Sequence, residues 1–76
     1  MNASDVEKLV NSTIVHTKYD KSTKEWKNTV GDASEPFYSS VDRNEAFVSA
    51  KQHAKENDYS HIMYRKDGSS LFKMFY

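Results

Sequence analysis

Apolar and polar residues alternate in two stretches near the start of the chain, 14–19 and 26–30, and both are rich in β-branched and aromatic residues. The polar segment 20–25 between them is typical of a turn, so together they predict a β-hairpin. With Asp20 opposite Glu25, such a hairpin has one core face and one face in water, as antiparallel sheets commonly do. One face carries Val15, Thr17, Tyr19, Trp26, Asn28 and Val30, and the other carries Ile14, His16, Lys18, Lys27 and Thr29.

The next apolar pattern has the period of a helix. Asp42 is a good N-cap, and Glu45 lies three residues later, at the capping-box position. Val41 and Ala46 are spaced to form a hydrophobic staple across the helix start. We expect the helix to end at 57–58 and to lie close to a sheet, because its apolar face is built mainly from small residues: Ala46, Phe47, Ala50 and Ala54.

Asp67 and Gly68 form the strongest hairpin signal in the chain, because a two-residue type I′ turn needs a positive φ at both positions. Such a turn leaves both faces of the closing hairpin largely apolar, which is more apolar area than one helix can cover. A longer loop through Ser69 and Ser70 would shift this pairing. The predicted pairs are Tyr64 with Leu71 and Ile62 with Lys73 on one face, and Met63 with Phe72, His61 with Met74 and Tyr59 with Tyr76 on the other.

These elements predict one α+β domain over 13–76, with a central helix packed on one face of an antiparallel sheet made from two hairpins (ββαββ). A segment at 36–38 would add a short edge strand, where Pro36 is tolerated. Residues 1–12 are predicted to form an arm or a short helix, since Ser4 and Glu7 have capping-box spacing. A chain of 76 residues fits a single domain.

Composition narrows the class of function. Basic and acidic residues balance at eleven each, whereas proteins that bind duplex DNA usually carry excess positive charge. The sequence has no cysteine, which removes disulfides and the usual structural zinc sites and suits a reducing compartment. Residues 1–12 lack the basic and apolar runs of a signal peptide, and no stretch has the length of a membrane span. We therefore expect a cytoplasmic protein with no membrane partner.

Several motifs occur together in this chain: the Trp26 strand, a helix entry at 39–46, the Ala50 and Ala54 helix face, the 67–68 turn and Tyr76. They resemble those of a family of small bacterial and phage proteins catalogued only as a domain of unknown function. The resemblance covers 13–76 and implies a hairpin, helix, hairpin fold, with no catalytic residues to carry over. The chain departs from the family pattern at Asn28, where a valine is expected, and in a longer first hairpin loop.

Motifs that would predict catalysis are missing: the sequence has no cysteine nucleophile, Gly-rich phosphate loop or Ser elbow. His16, His53 and His61 lack metal-binding spacing, so we expect surface or structural roles for them and no metal or cofactor. Four carboxylates cluster in sequence, and helix capping and loop solubility explain them better than an acid–base pair. They are Asp32, Glu35, Asp42 and Glu45.

The leading hypothesis is a non-catalytic protein-interaction module that forms a homodimer. Methionine and aromatic side chains are frequent in interface cores and adapt to irregular surfaces. In the alternative, Leu9 and Val10 of the arm cover the hairpin instead. In a bacterial or phage setting, the module could regulate or inhibit a host protein, with the four carboxylates facing a basic, nucleic-acid-binding target surface. The candidate interface comprises Met63, Phe72, Met74, Tyr76, Tyr59 and His61.

The second hypothesis is single-stranded nucleic-acid binding on the open sheet face. There His16, Lys18 and Lys27 would meet phosphates, and Phe72 or Tyr76 would stack on bases. The sequence has no RNP-like motif and a net charge of zero, so this hypothesis remains the alternative.

Overall fold

The computed structural model describes residues 14–76, so the arm or short helix expected at 1–12 lies outside the described residues. The described chain is an α+β domain, which confirms the predicted class. Its elements, in chain order, are β1 (Ile14–Asp20), β2 (Glu25–Val30), β3 (Tyr38–Ser40), α1 (Arg43–Asn57), β4 (Ser60–Tyr64) and β5 (Ser70–Phe75).

The five strands form one sheet in the order β3-β2-β1-β4-β5. The first hairpin, β1 with β2, therefore lies between β3 and β4. The expectation of a purely antiparallel sheet is wrong in one place, because β4 pairs with β1 in parallel, with Val15 opposite His61. A parallel pair needs a long crossover, and α1 supplies it after β3.

The first hairpin has the predicted register, with Asp20 opposite Glu25 and Tyr19 opposite Trp26. Its loop closes through a hydrogen bond of 2.7 Å from the Lys24 amide to the Asp20 carbonyl, with Lys24 at a φ of 59°. The Asp20 carboxylate also accepts a hydrogen bond from the Ser22 amide at 2.9 Å. The turn chemistry thus fixes the register that places Val15 and Trp26 in the core.

Asp42 caps α1 as predicted: its Oδ1 accepts hydrogen bonds from the Asn44 and Glu45 amides at 2.7 and 3.2 Å. Glu45 differs from the capping-box expectation, because its carboxylate accepts a hydrogen bond from the Ser40 hydroxyl at 2.9 Å. The predicted staple is wrong, since Val41 is 76% exposed. The helix ends with Asp58 in the left-handed conformation, at a φ of 56°.

The closing hairpin keeps most of its predicted register, with His61 opposite Met74 and Met63 opposite Phe72. The two-residue type I′ turn is wrong, because the Gly68 amide donates to the Arg65 carbonyl at 3.0 Å and Asp67 does not have a positive φ. Gly68, at a φ of 92°, is the fourth residue of that β-turn and the last residue of a three-residue loop. An irregularity at Met63/Tyr64 then places Tyr64 opposite Ser70 instead of Leu71.

The core lies between α1 and the face of the sheet that carries Val15, Trp26 and Met63. Ala46, Ala50 and Ala54 are fully buried, as their spacing predicted, and the helix packs across β1, β2, β3 and β4. The edge strand β3 covers 38–40 rather than 36–38. Within 14–76, no helix is both long enough and apolar enough to cross a membrane.

Candidate functional site

The outer strand β5 is the least covered element of the described fold. Among the described strands it pairs only with β4, so its other side is a sheet edge. Every residue from Ser70 to Phe75 is exposed except Phe72, which is half-buried. Met74 is 44% exposed on the helix side of the sheet and Phe75 is 73% exposed on the opposite side, so apolar surface lies on both faces of β5.

The other edge of the sheet is built differently. Strand β3 has three residues, whereas β5 has six. Pro36 lies two residues before β3, and proline is a common way to protect a sheet edge. On β5 the sole charged residue is Lys73. A long edge strand with several apolar residues and one charge is a template for pairing with another strand, so β5 is the candidate binding element.

The residues predicted for the interface do not form one surface. His61 and Met63 are buried in the core, where a partner cannot reach them. Tyr59, Phe72 and Tyr76 are partly buried and pack against the two core clusters. Met74 alone in this group is substantially exposed. The sequence analysis did not include Phe75 in the interface. Because Phe75 lies two residues after Lys73, the alternation of side chains along a strand places both on the face of the sheet opposite α1, the open face.

His61 belongs to a buried polar chain that the sequence did not reveal. The Asn28 Nδ2 donates to the Ala46 carbonyl at 2.8 Å, which leaves its Oδ1 to accept from the Thr17 hydroxyl at 2.7 Å. Because that hydroxyl has one proton, His61 Nε2, 2.7 Å away, must donate to it. His61 Nδ1 is then an unprotonated acceptor, and it has no hydrogen-bond partner among the described residues.

Burial sets the protonation state of His61. Removal of the ring from water lowers its pKa from 6.5 to about 4, and the charge of His16 adds to the effect. The ring lies among aromatic side chains, with centroids 5.7 Å from Phe47 and 6.2 Å from Phe72. His61 is therefore neutral at physiological pH and acts as a core residue.

The face of the sheet opposite α1 carries a cluster of basic and aromatic side chains from β1, β4 and β5. His16 Nδ1 and the Tyr64 hydroxyl share a hydrogen bond of 2.8 Å. Lys18 Nζ lies 5.1 Å from the centroid of the Tyr64 ring, and Lys73 Nζ lies 5.1 Å from that of Phe75. Burial lowers the pKa of His16, and the positive charges of Lys18 and Lys73 lower it further, while Asp32 opposes them.

Lys27 shares the open face with Lys18 but is already paired. Its Nζ lies 2.8 Å from the Asp20 carboxylate, which forms an ion pair with it. Hydrogen bonds from Lys27 and Ser22 hold the pKa of Asp20 well below its usual range. Phe72 lies on the helix side of the sheet, so it cannot stack on a base bound beside Lys18. The aromatic rings on the correct face are Tyr64 and Phe75.

The four clustered carboxylates are not brought together as one acidic surface. Asp42 and Glu45 are used at the start of α1, through the cap and the Ser40 hydrogen bond. Asp32 acts electrostatically on His16, near the opposite end of β2. Glu35 acts on Lys27. All four of these side chains therefore have interactions within the domain that would compete with a basic target.

The three histidines are also separated by the fold. His53 lies on α1, with its ring 4.4 Å from that of Phe37, while His61 is in the core and His16 is on the open face. Within residues 14–76, no three histidine or acidic side chains are grouped so that they could hold a metal ion. The arrangement on the open face and at the β5 edge provides surfaces for binding.

Comparisons with protein-family models, with curated proteins and with solved structures found no match to this chain.

Proposed function

We propose that this chain is a non-catalytic protein-interaction module whose binding element is the edge strand β5. The observation that carries the proposal is the contrast between the two sheet edges. Strand β5 is long, exposed and apolar on both faces, whereas β3 is short and follows a proline. An added strand would satisfy the unpaired backbone groups of β5.

Side chains on β5 would supply specificity to such a strand addition. In this mode of recognition the main chain provides affinity, and alternate side chains select the partner. Met74 presents a flexible apolar surface on the helix side, and Phe75 presents an aromatic surface on the open side. A partner strand must therefore offer an apolar side chain to Met74 and a side chain that packs on an aromatic ring to Phe75.

The positioned polar groups support a binding role rather than catalysis. Asp42 caps α1, Asp67 accepts from the Ser69 amide at 2.9 Å, and Asp20 orders the first hairpin loop. Asn28 and His61 are used in the core. These polar side chains hold turns and the core, so each has a structural role within the domain.

The biological setting belongs to the proposal. A small module of this kind would regulate or inhibit a protein of a bacterial host by occupying one of its sheet edges, whether it is encoded by the bacterium or by a phage. We place it in the cytoplasm because a sequence without cysteine suits a reducing compartment.

The proposal is tested by immobilising the full chain and measuring which proteins it retains, both from a bacterial lysate and from a preparation of differently tagged copies of itself. Met74→Lys should abolish retention, because a charged side chain on the exposed edge strand β5 opposes strand addition. Val48→Lys is the matched control, since Val48 is 59% exposed on α1, away from β5. Retention that survives Met74→Lys together with Phe75→Lys would contradict the proposal.

A second candidate, single-stranded nucleic-acid binding, is favoured by the placement of Lys18 and Lys73 beside the Tyr64 and Phe75 rings. Phosphates would meet the two lysines, and a base would stack on the exposed Phe75 ring. Two phosphate contacts to a single strand give a slope of about −1.4 for log affinity against log salt.

Fluorescence anisotropy with a labelled oligothymidine tests this candidate. Lys18→Glu with Lys73→Glu should remove binding, whereas Lys51→Glu with Lys55→Glu, on the exposed side of α1, should preserve it. Lys27 is a poor choice for this test because Asp20 already holds its ammonium. Equal affinity for both double variants, or none at low salt for the parent chain, would rule out this second function.

A further inference from the structure

We infer that two chains join through β5 in antiparallel pairing, with Met74 on the two-fold axis, to form a continuous ten-stranded sheet. This inference rests on the proposed function and names the partner. Within 14–76 this edge has no paired strand, because β5 pairs only with β4 among the described strands.

Symmetry limits the possible registers. A two-fold axis perpendicular to a continuous sheet puts both helices on the same side, so opposed residues must lie on the same face. The axis must then pass through a residue pair of one type, and for a pairing over 70–76 the central choices are Phe72, Lys73 and Met74. Each choice gives a different set of neighbours across the interface.

Charge decides among these registers. With Lys73 on the axis, the two ammonium groups would face each other directly, which is destabilising in a cross-strand pair. With Phe72 on the axis, Lys73 would face the apolar Leu71 of the other copy, and Phe75 would extend past the strand. Both registers leave Lys73, the one charged residue of β5, without a favourable neighbour across the interface.

With Met74 on the axis, Lys73 faces Phe75 of the second copy on the open side of the sheet. The ammonium and the aromatic ring are electrostatically complementary, and the same two side chains already lie 5.1 Å apart within one chain. On the helix side, Met74 faces its own copy and Phe72 faces Tyr76. These contacts cover Met74 and Phe75, the two most exposed apolar side chains on β5.

Coverage by α1 supports this arrangement. The helix packs across β1 to β4, and Phe47 reaches β5 with its ring centroid 5.9 Å from that of Phe72. Beyond Phe72 the helix side of β5 is exposed at Met74. In the dimer, two Met74 side chains would fill the groove between the helices, where a flexible thioether packs well.

Single-cysteine variants of the full chain test the register, because the sequence has no other cysteine. Residues opposed in an antiparallel pair have Cα atoms about 4.5–5.5 Å apart, which suits a disulfide. Under mild oxidation, Met74→Cys should give a covalent dimer at least tenfold faster than Lys73→Cys. In the inferred register the two Lys73 positions are diagonal, with Cα atoms about 7–8 Å apart, too far for a strain-free disulfide.

Light scattering of the unmodified chain over a hundredfold range of concentration completes the test. A rise from one to two chains supports the inference, and Met74→Lys should remove it. Faster cross-linking of Lys73→Cys, or a chain that stays monomeric throughout, overturns it. If the monomer still retains a lysate protein in a β5-dependent manner, the second copy is excluded and the interaction module survives; if it retains nothing, both fail.

Discussion

At the scale of single residues, the neutral ring of His61 links folding to pH. The pKa of His61 is about 4 in the fold and about 6.5 in an unfolded chain, so the unfolded chain binds more protons between these values. The contribution to stability is fully present above pH 6.5 and is lost as pH falls toward 4. The full loss is on the order of 3 kcal/mol.

We therefore expect the urea midpoint of the parent chain to fall between pH 7 and pH 4.5. His61→Leu should weaken this dependence, because leucine has no proton to bind. His53→Gln, which leaves His61 and His16 in place, should retain it. A His61→Leu variant with the same pH dependence as the parent chain would contradict this account. The lowered pKa of His16 acts in the same direction, so some dependence will remain.

Thr17 is the central link of the buried polar chain. Thr17→Val removes the hydroxyl and leaves two buried groups, Asn28 Oδ1 and His61 Nε2, without their partner. Each unsatisfied group costs about 1–3 kcal/mol, so for two groups we expect a loss of about 2–6 kcal/mol in the free energy of unfolding. Thr17→Ser keeps the hydroxyl and should lose about 1 kcal/mol for the missing methyl group. Chemical denaturation of the two variants checks the difference, and equal losses would argue against the hydrogen-bond chain.

At the scale of elements, the start of α1 depends on Asp42. Asp42→Ala leaves the Asn44 and Glu45 amides without their acceptor and should lower the free energy of unfolding by about 1 kcal/mol. Asp42→Asn retains a side-chain oxygen and should lose only a few tenths. Denaturation by urea measures both values. A large loss with asparagine would indicate that the charge, rather than the cap, stabilises the helix.

Local sequence signals predicted the helix and the strands, but they did not predict which strands pair when the strands are far apart in the sequence. The first hairpin and α1 were predictable because Asp20, Asp42 and the alternation act over a few residues. The parallel pairing of β1 with β4 has no connecting turn to set its register, so the sequence pattern did not predict it. The candidate site was predicted in part: Lys18 and Lys27 lie on the open face as expected, while the burial of His61 depends on that parallel pairing.

At the scale of the whole molecule, dimerisation would couple stability to concentration. If folded chains pair through β5, each tenfold rise in protein concentration adds about 1.4 kcal/mol to the apparent stability of the dimer. The urea midpoint should therefore rise with concentration for the parent chain and stay constant for Met74→Lys. Circular dichroism at several concentrations measures this shift. A constant midpoint for both would show that folding does not require the second chain.

The position of the first hairpin between β3 and β4 has a consequence for how the domain can be divided. The segment after the first hairpin contains β3, which pairs with β2, and β4, which pairs with β1. It lacks β1 and β2 themselves, which lie between β3 and β4 in the sheet. Neither portion therefore contains a complete sheet or core, and the two must assemble in a single cooperative step. A break in the backbone near 33 would leave two fragments that are each incomplete and that fit only one another.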